Sequence, residues 1–263
     1  MRRTGGVWPV GRVGLSLGAV VGSVGLVGCG GDDPVSVAPA ARVAVVSTEP
    51  CGDASGRTAS GVLVVSGRVV TAAHVVVDAE RVSVRVGDGD LLDARVTALD
   101  TVADIAVLEV GADDLMRVDA DASTSGTADA DIDAVAFASF ESGETVRMVG
   151  GAASATTELV VRTRAAIEIE EVRGTERVRR DGYELLGETA DGDSGAGVYD
   201  TDGRLGAIVF AASNERSGVT FAVAAREVDR VLDLAATSFE CDPVASRLVP
   251  LDAAPVRDED AAE

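Results

Sequence analysis

The chain has 263 residues, 44 of them acidic against 23 basic, and a formal net charge of −21 at pH 7. So acidic a surface excludes nucleic acid and anionic lipid as partners, since both would be repelled and neither would find a basic patch. The single histidine and three cysteines leave little material for a metal centre, and none is expected.

Residues 1–28 read as a leader. Arg2, Arg3 and Arg12 precede an apolar, Gly-rich run from Val13 to Gly28 that is short for a membrane span of about 20 residues. Its end, Leu26-Val27-Gly28-Cys29, resembles the lipobox of bacterial lipoproteins. That resemblance implies a lipid on Cys29, and membrane contact through this N-terminal lipid only. The expected location is the bacterial cell envelope, and the outer membrane if the cell is Gram-negative. Removing the leader leaves a length suited to one all-β unit of roughly 200–250 residues. Cys51 and Cys241 then remain, either as a disulfide in an oxidising compartment or as two free thiols.

Residues 29–41 are a small, polar tether. From residue 42 to 118, short Val-rich runs alternate with turns: "RVAVVS", "GVLVV", Ser66-Gly67, "RVVTAAHVV", "RVSVRV", "GDGD", "DARVTAL" and "DIAVLEV". Strands of this length and spacing predict a β-sandwich or barrel. Residues 119–134 form an acidic connection. Counted as a calcium loop from Asp121, it places Gly126 at the sharp turn and offers oxygens from Ser123, Ser125 and Asp129. Ile132, however, stands where a bidentate Glu must close the site, so a solvated connection is preferred. Strand patterns resume over 135–236 with "AVAFASF", "ETVRMVGG", "ELVVRTRAAIEIEEV", "ERVRRDGYELLGE", "RLGAIVFAA" and "GVTFAVA". A terminal helix follows, with Val228, Val231, Leu232 and Leu234 near one face. Residues 237–263 read as a frayed tail.

Three motifs carry chemistry. His74, the only histidine, follows a hairpin in "VVTAAHVV". Asp104 heads the apolar run "DIAVLEV", where a buried carboxylate needs a hydrogen-bond partner. Ser194 lies in "TADGDSGAGVYD", which taken alone is equally a tight polar turn.

In this order and context the three motifs resemble those of the chymotrypsin/trypsin-like serine protease family: "TAAH", "DIAL" and "GDSGGP". The resemblance implies an all-β fold of two six-stranded antiparallel β-barrels, over 42–118 and 135–236, with a C-terminal helix. It implies a cofactor-free serine endopeptidase acting on peptide or protein substrates, expected as a monomer. His74 would be the general base, Asp104 its orienting carboxylate and Ser194 the nucleophile. The N–H groups of Gly192 and Ser194 would form an oxyanion hole, and Asp193 would be structural.

By the same alignment Glu188 sits at the base of the primary specificity pocket. Phe210, Ala211 and Ala212 lie along the substrate path, with Gly218 opposite. A free Glu188 carboxylate implies a preference for Arg or Lys before the scissile bond. A Glu188 paired with Arg179 or Arg180 implies small residues instead.

Departures from the family pattern are equally specific. Ala196-Gly197 replaces Gly-Pro, and Ala190 stands where a cysteine is common. Arg42 is followed by "VAVV" where the family's activation site has "IVGG", so the partner of Asp193 goes unnamed. The residues after the helix are too few for a PDZ module. The rival expectation is a non-catalytic envelope lipoprotein that keeps a trypsin-like barrel as a protein-binding scaffold. An acidic adhesion lipoprotein would need three coincident motifs.

Overall fold

The Val-rich runs of the first half become strands β1 (Val43–Pro50), β2 (Arg57–Val65), β3 (Arg68–Ala72), β4 (Ala79–Val86), β5 (Leu92–Asp100) and β6 (Ile105–Val110). β-branched side chains are stiff and fit a pleated surface, so these runs favour strand over helix. The order β1-β2-β3-β6-β5-β4 closes as an antiparallel barrel, with β4 returning to β1 through pairs such as Val46↔Val84. Closure removes the exposed edges that six separate strands would present.

The computed structural model describes residues 39–51, 55–65, 67–87, 89–111, 134–151, 155–172, 176–234, 237–238 and 249–250. All lie in one unit, Pro34–Glu263. The leader with Cys29, the calcium-loop reading over Asp121–Ile132, and Cys241 fall outside the described residues. At the end of the expected tether, Pro39–Arg42 forms a 3-10 turn that runs into the first barrel, and its Arg42 is buried and donates to the Leu63 carbonyl at 3.1 Å. No helix among the described residues is long and apolar enough to cross a membrane.

The second half supplies β7 (Thr145–Gly150), β8 (Ala155–Glu170), β9 (Arg177–Leu186), β10 (Gly197–Tyr199), β11 (Leu205–Ala212) and β12 (Val219–Ala224). Their order is β10-β11-β12-β9-β8-β7, and β10 also pairs with β7, so the pairing returns to where it began. The expected strand in "AVAFASF" is reduced to a single parallel bridge, Phe137↔Leu205. A two-stranded sheet pairs β13 (Thr237–Ser238) with β14 (Val249–Pro250).

Among the described residues, two short helices punctuate the strands. α1 (Ala73–Val76) is one turn that follows β3 directly, and α2 (Ala225–Leu232) follows β12. α2 buries Val228 and Val231 fully, whereas Leu234 lies past its end and is exposed, so the apolar face is shorter than its sequence suggests.

Three apolar clusters hold the body together. One fills the first barrel around Val46, Leu63, Val69 and Leu108. Another fills the second sheet around Met148, Leu159, Tyr183 and Leu185. The third is a shared seam: Val62, Val70 and Ile105 from the first half meet Tyr199, Ile208, Phe210 and the α2 valines from the second. Each fully buried Val, Leu or Ile contributes about 1.5–3 kcal/mol, so the seam strongly resists separation of the halves.

Candidate active site

Strand β3 ends at Ala72, and the single turn of α1 turns His74 out of the barrel wall. The turn is anchored by Asp104: Ala73 N–H donates to its carbonyl at 3.1 Å and His74 N–H to its Oδ1 at 2.8 Å. Asp104 is 2% exposed and has φ +60°, a left-handed conformation uncommon outside glycine but more accessible to Asp. Strand β6 therefore starts at Ile105, and Asp104 closes the turn before it.

The imidazole completes the connection. His74 Nδ1 lies 2.9 Å from Asp104 Oδ2 and 3.2 Å from Oδ1, and His74 Nε2 lies 3.0 Å from Ser194 Oγ. An ionised carboxylate only accepts, which places the proton of a neutral His74 on Nδ1 and leaves Nε2 to accept from the serine hydroxyl. Thus the structure brings together all three residues singled out in the sequence. Two come from the first barrel and one from the second half.

The loop carrying Ser194 is shaped from within and braced from across the seam. Ala190 N–H donates to Asp193 Oδ2 at 2.8 Å, and Asp193 N–H to the Ala190 carbonyl at 3.1 Å. This supplies the partner of Asp193 that its sequence context leaves unnamed. Gly192 and Gly195 take φ of +95° and +86°, where a side chain would be strained. A Cβ on Gly195 would also overlap the Ser60 carbonyl oxygen. Among the described residues, the N–H groups of Gly192 and Ser194 donate to no other backbone group, whereas Gly195 N–H is taken by the Val209 carbonyl at 2.8 Å.

Ser60 of β2 is the main brace. Its N–H donates to the Ser194 carbonyl at 2.8 Å, its Oγ donates to the Gly192 carbonyl at 2.7 Å, and that Oγ accepts Gly151 N–H at 2.6 Å. Thr71 Oγ1 in turn donates to the Ser60 carbonyl at 2.7 Å. Sequence reasoning missed Ser60, although a lone serine inside the apolar run "TASGVLVV" is a visible anomaly. It also missed Arg57, whose Nη1 donates to the His74 carbonyl at 2.5 Å at the mouth of the site.

A cleft of 440 Å³ opens beside Ser194, lined by Arg57, His74, Thr189, Ala190, Gly192, Val209, Ala211 and Ala212, among others. Thr189 and Ala212 also border a second cavity of 230 Å³ that holds Glu188 and Gly218. Three expectations need correction. Phe210 is not on the substrate path, because it is 4% exposed and stacks on Phe221 with ring centroids 6.3 Å apart. Glu188 is exposed in the adjoining cavity and does not line the cleft that contains Ser194. Neither arginine proposed as its partner turns to it: Arg179 lies 3.9 Å from Glu168, and Arg180 3.4 Å from Asp104. Among the described residues no cluster of His, Cys, Asp and Glu is arranged to hold a metal ion.

A strand-built body with a Ser–His–Asp line at the junction of its halves is the architecture of a serine peptidase. Residues 59–208, more than half of the chain, match the trypsin-like peptidase domain, and the chain belongs to that family. A segment of 49 residues is 53% identical to the mitochondrial serine protease HTRA2 of Bos taurus, covering 19% of this chain and 11% of that protein. The match therefore spans about a tenth of the length of that curated relative. In three dimensions the chain is similar to the active form of the Rv3671c protease from M. tuberculosis, with a TM-score of 0.63 and 22% identity over 80% of this chain and 84% of the other. It is also similar to a serine endoprotease from Yersinia pestis, with a TM-score of 0.56 and 19% identity over 74% and 62% of the two chains. At these identities the likeness is one of fold.

Proposed function

We infer that the protein is a serine endopeptidase that cleaves peptide bonds through an acyl-enzyme, using Ser194, His74 and Asp104. The observation that carries this is the unbroken hydrogen-bond line from Asp104 through His74 Nδ1 and Nε2 to Ser194 Oγ. A serine hydroxyl is a weak nucleophile by itself. His74 Nε2 accepts its proton as Oγ attacks the scissile carbonyl, then returns that proton to the leaving amine. Asp104 holds the imidazole in the required tautomer and stabilises the imidazolium. Water, activated by the same nitrogen, then releases the acyl group.

Negative charge developing on the carbonyl oxygen is received by the N–H groups of Gly192 and Ser194. Each such donor is worth about 3–4 kcal/mol of transition-state stabilisation. The uncommitted state of both amides favours this role. The second sheet is read as the second barrel of a trypsin-like pair, and the pairing of β10 with both β11 and β7 supports that.

The same reading makes the protein a lipid-anchored resident of the bacterial envelope, held through Cys29. An oxidising compartment is supported by Cys51, which takes part in a disulfide, and Cys241 is its proposed partner. Glu188 remains the proposed determinant for basic residues, acting from the cavity next to the cleft.

The deciding experiment is covalent labelling with a fluorophosphonate. Wild type takes up one probe, and Ser194→Ala, folded by circular dichroism, takes up none and loses about a millionfold in peptide or ester turnover. Equal labelling of the two proteins overturns the assignment.

A further inference from the structure

The hairpin of β8 and β9 outruns its own sheet. β7 pairs with β8 only over Ala155–Val160, and β12 with β9 only over Gly182–Leu186. The stretch pairing Ile167–Glu170 with Arg177–Arg180 has no third strand. A two-stranded ribbon is marginal in water and needs a surface to pack on. Ile167 and Ile169 pack on the seam cluster, and Val172 on the core of the first barrel. Thr101 Oγ1 donates to Glu171 Oε1 at 2.5 Å.

At the root of this ribbon one side chain points inward. Arg180 is 3% exposed, and its guanidinium lies over the Phe210 ring, 4.9 Å from the centroid. Nε donates to the Val102 carbonyl at 2.7 Å and Nη2 lies 3.4 Å from the Thr101 carbonyl. Nη1 lies 3.4 Å from Asp104 Oδ2, the oxygen that receives His74. The Val102 bond is the short one, and the contact with Asp104 is long enough to be chiefly one of charge. One planar fork thus spans the turn that ends in the left-handed Asp104.

We propose that Arg180 is a positioning residue for the Asp104–His74 pair. It docks the β8–β9 ribbon on the 101–104 turn and holds the Asp104 carboxylate in the direction from which it meets His74. The proposal rests on the reading of Asp104 as the group that orients His74.

Arg180 also places a permanent cation behind that carboxylate. Burial weakens its hold on its proton, while Asp104, Asp100 and Glu171 act in the opposite sense. The charged groups facing Asp104 are His74 from α1 and Arg180 from β9. Asp100 at the end of β5 is occupied by Arg230 of α2 at 2.6 Å, and Glu171 stands at the end of β8. An imidazolium formed at His74 therefore shares its carboxylate with a second cation.

His74 is the only histidine, so its imidazole titration can be followed by NMR without assignment and without turnover. In Arg180→Met the titration moves to higher pH by about half a unit or more. In a turnover assay kcat falls about tenfold with KM nearly unchanged, because the geometry of the base and not substrate binding is disturbed. Arg180→Lys keeps the charge but loses the fork, so its titration stays near wild type while kcat falls. A folded Arg180→Met with wild-type titration and wild-type kcat overturns the proposal. If Arg180→Met does not fold, the same measurements on Arg180→Gln decide. If none of the three variants folds, Arg180 is a folding residue and the proposal is overturned. A wild type that titrates but neither labels nor hydrolyses overturns the peptidase reading alone, and the titration arm still stands.

Discussion

Ser60 Oγ, in strand β2 of the first barrel, donates to the carbonyl of Gly192 in the loop that carries Ser194, at 2.7 Å. A residue of one half thereby sets the peptide orientation in the other, two residues before the nucleophile. The same hydroxyl accepts Gly151 N–H, so both of its neighbours would be left unpaired without it.

Ser60→Ala should therefore impair turnover more than folding. Gly151 N–H and the Gly192 carbonyl are only partly buried, so leaving them unpaired costs at most about 1–3 kcal/mol each, and water and relaxation of the loop recover part of it. The expected outcome is a loss of about tenfold or more in kcat and in fluorophosphonate labelling rate, with a modest drop in melting temperature. Steady-state kinetics beside a thermal melt make the test. Wild-type kcat in the variant would remove Ser60 from the site.

Acid stability should depend in part on Glu184. Burial by itself would raise its pKa, but hydrogen bonds from Arg216 and Arg162 outweigh that and hold it below the usual carboxylate value. A carboxylate depressed in the folded state contributes stability above its unfolded value of about 4.3 and loses it as pH falls through the folded value. Glu184→Gln should thus melt lower than wild type at pH 7, and the gap should close below about pH 4. The effect is small, because Arg162 and Arg216 are 49% and 44% exposed and screened by solvent. A gap that does not change with pH would assign the loss to packing.

Cleavage preference is proposed to turn on Glu188. With Arg179 and Arg180 engaged elsewhere, its carboxylate is available to a long cationic side chain that reaches past Thr189 and Ala212 into the 230 Å³ cavity. A fluorogenic peptide library should show Arg or Lys favoured before the scissile bond, and Glu188→Ala should lower turnover of those peptides selectively. Preference for Ala or Val in wild type, unchanged in the variant, would assign selectivity to the small apolar wall of Ala190, Ala211 and Ala212 instead.

The proposed envelope location rests on Cys29. Wild-type protein expressed in a bacterium should partition into detergent and carry lipid on its N-terminal mass, and Cys29→Ser should be released or left unprocessed. Recovery of wild type without lipid in the aqueous phase would refute the anchor.

His74, Asp104 and Ser194 were legible because each depends on its immediate neighbours: a strand ending before a turn, a carboxylate before an apolar strand, and glycines on either side of a serine. Eleven of the twelve main strands were legible in outline from Val-rich alternation, whereas β10, only three residues long and directly after the serine turn, was not. The missing strand around Phe137 was not, since an apolar run shows that a segment is buried but not which backbone groups it will pair with. Phe210 was misplaced for a related reason. Its alignment was with a pocket-wall strand, whereas its ring is claimed by an arginine that arrives from a distant hairpin. Arg180 itself is one of several arginines in "ERVRRDGY", and only the overrun of β8 and β9 beyond their sheet selects which of them turns inward.

The closure of Asp193 onto Ala190 also bears on when the protein becomes competent. The carboxylate is satisfied three residues away, inside the same turn, and needs no amino group freed elsewhere in the chain. The serine loop holds its shape through contacts inside a single turn, so no cut within the two-sheet body would be needed to complete it. A cell holding such a molecule would have to restrain it by where it is kept and by what reaches it.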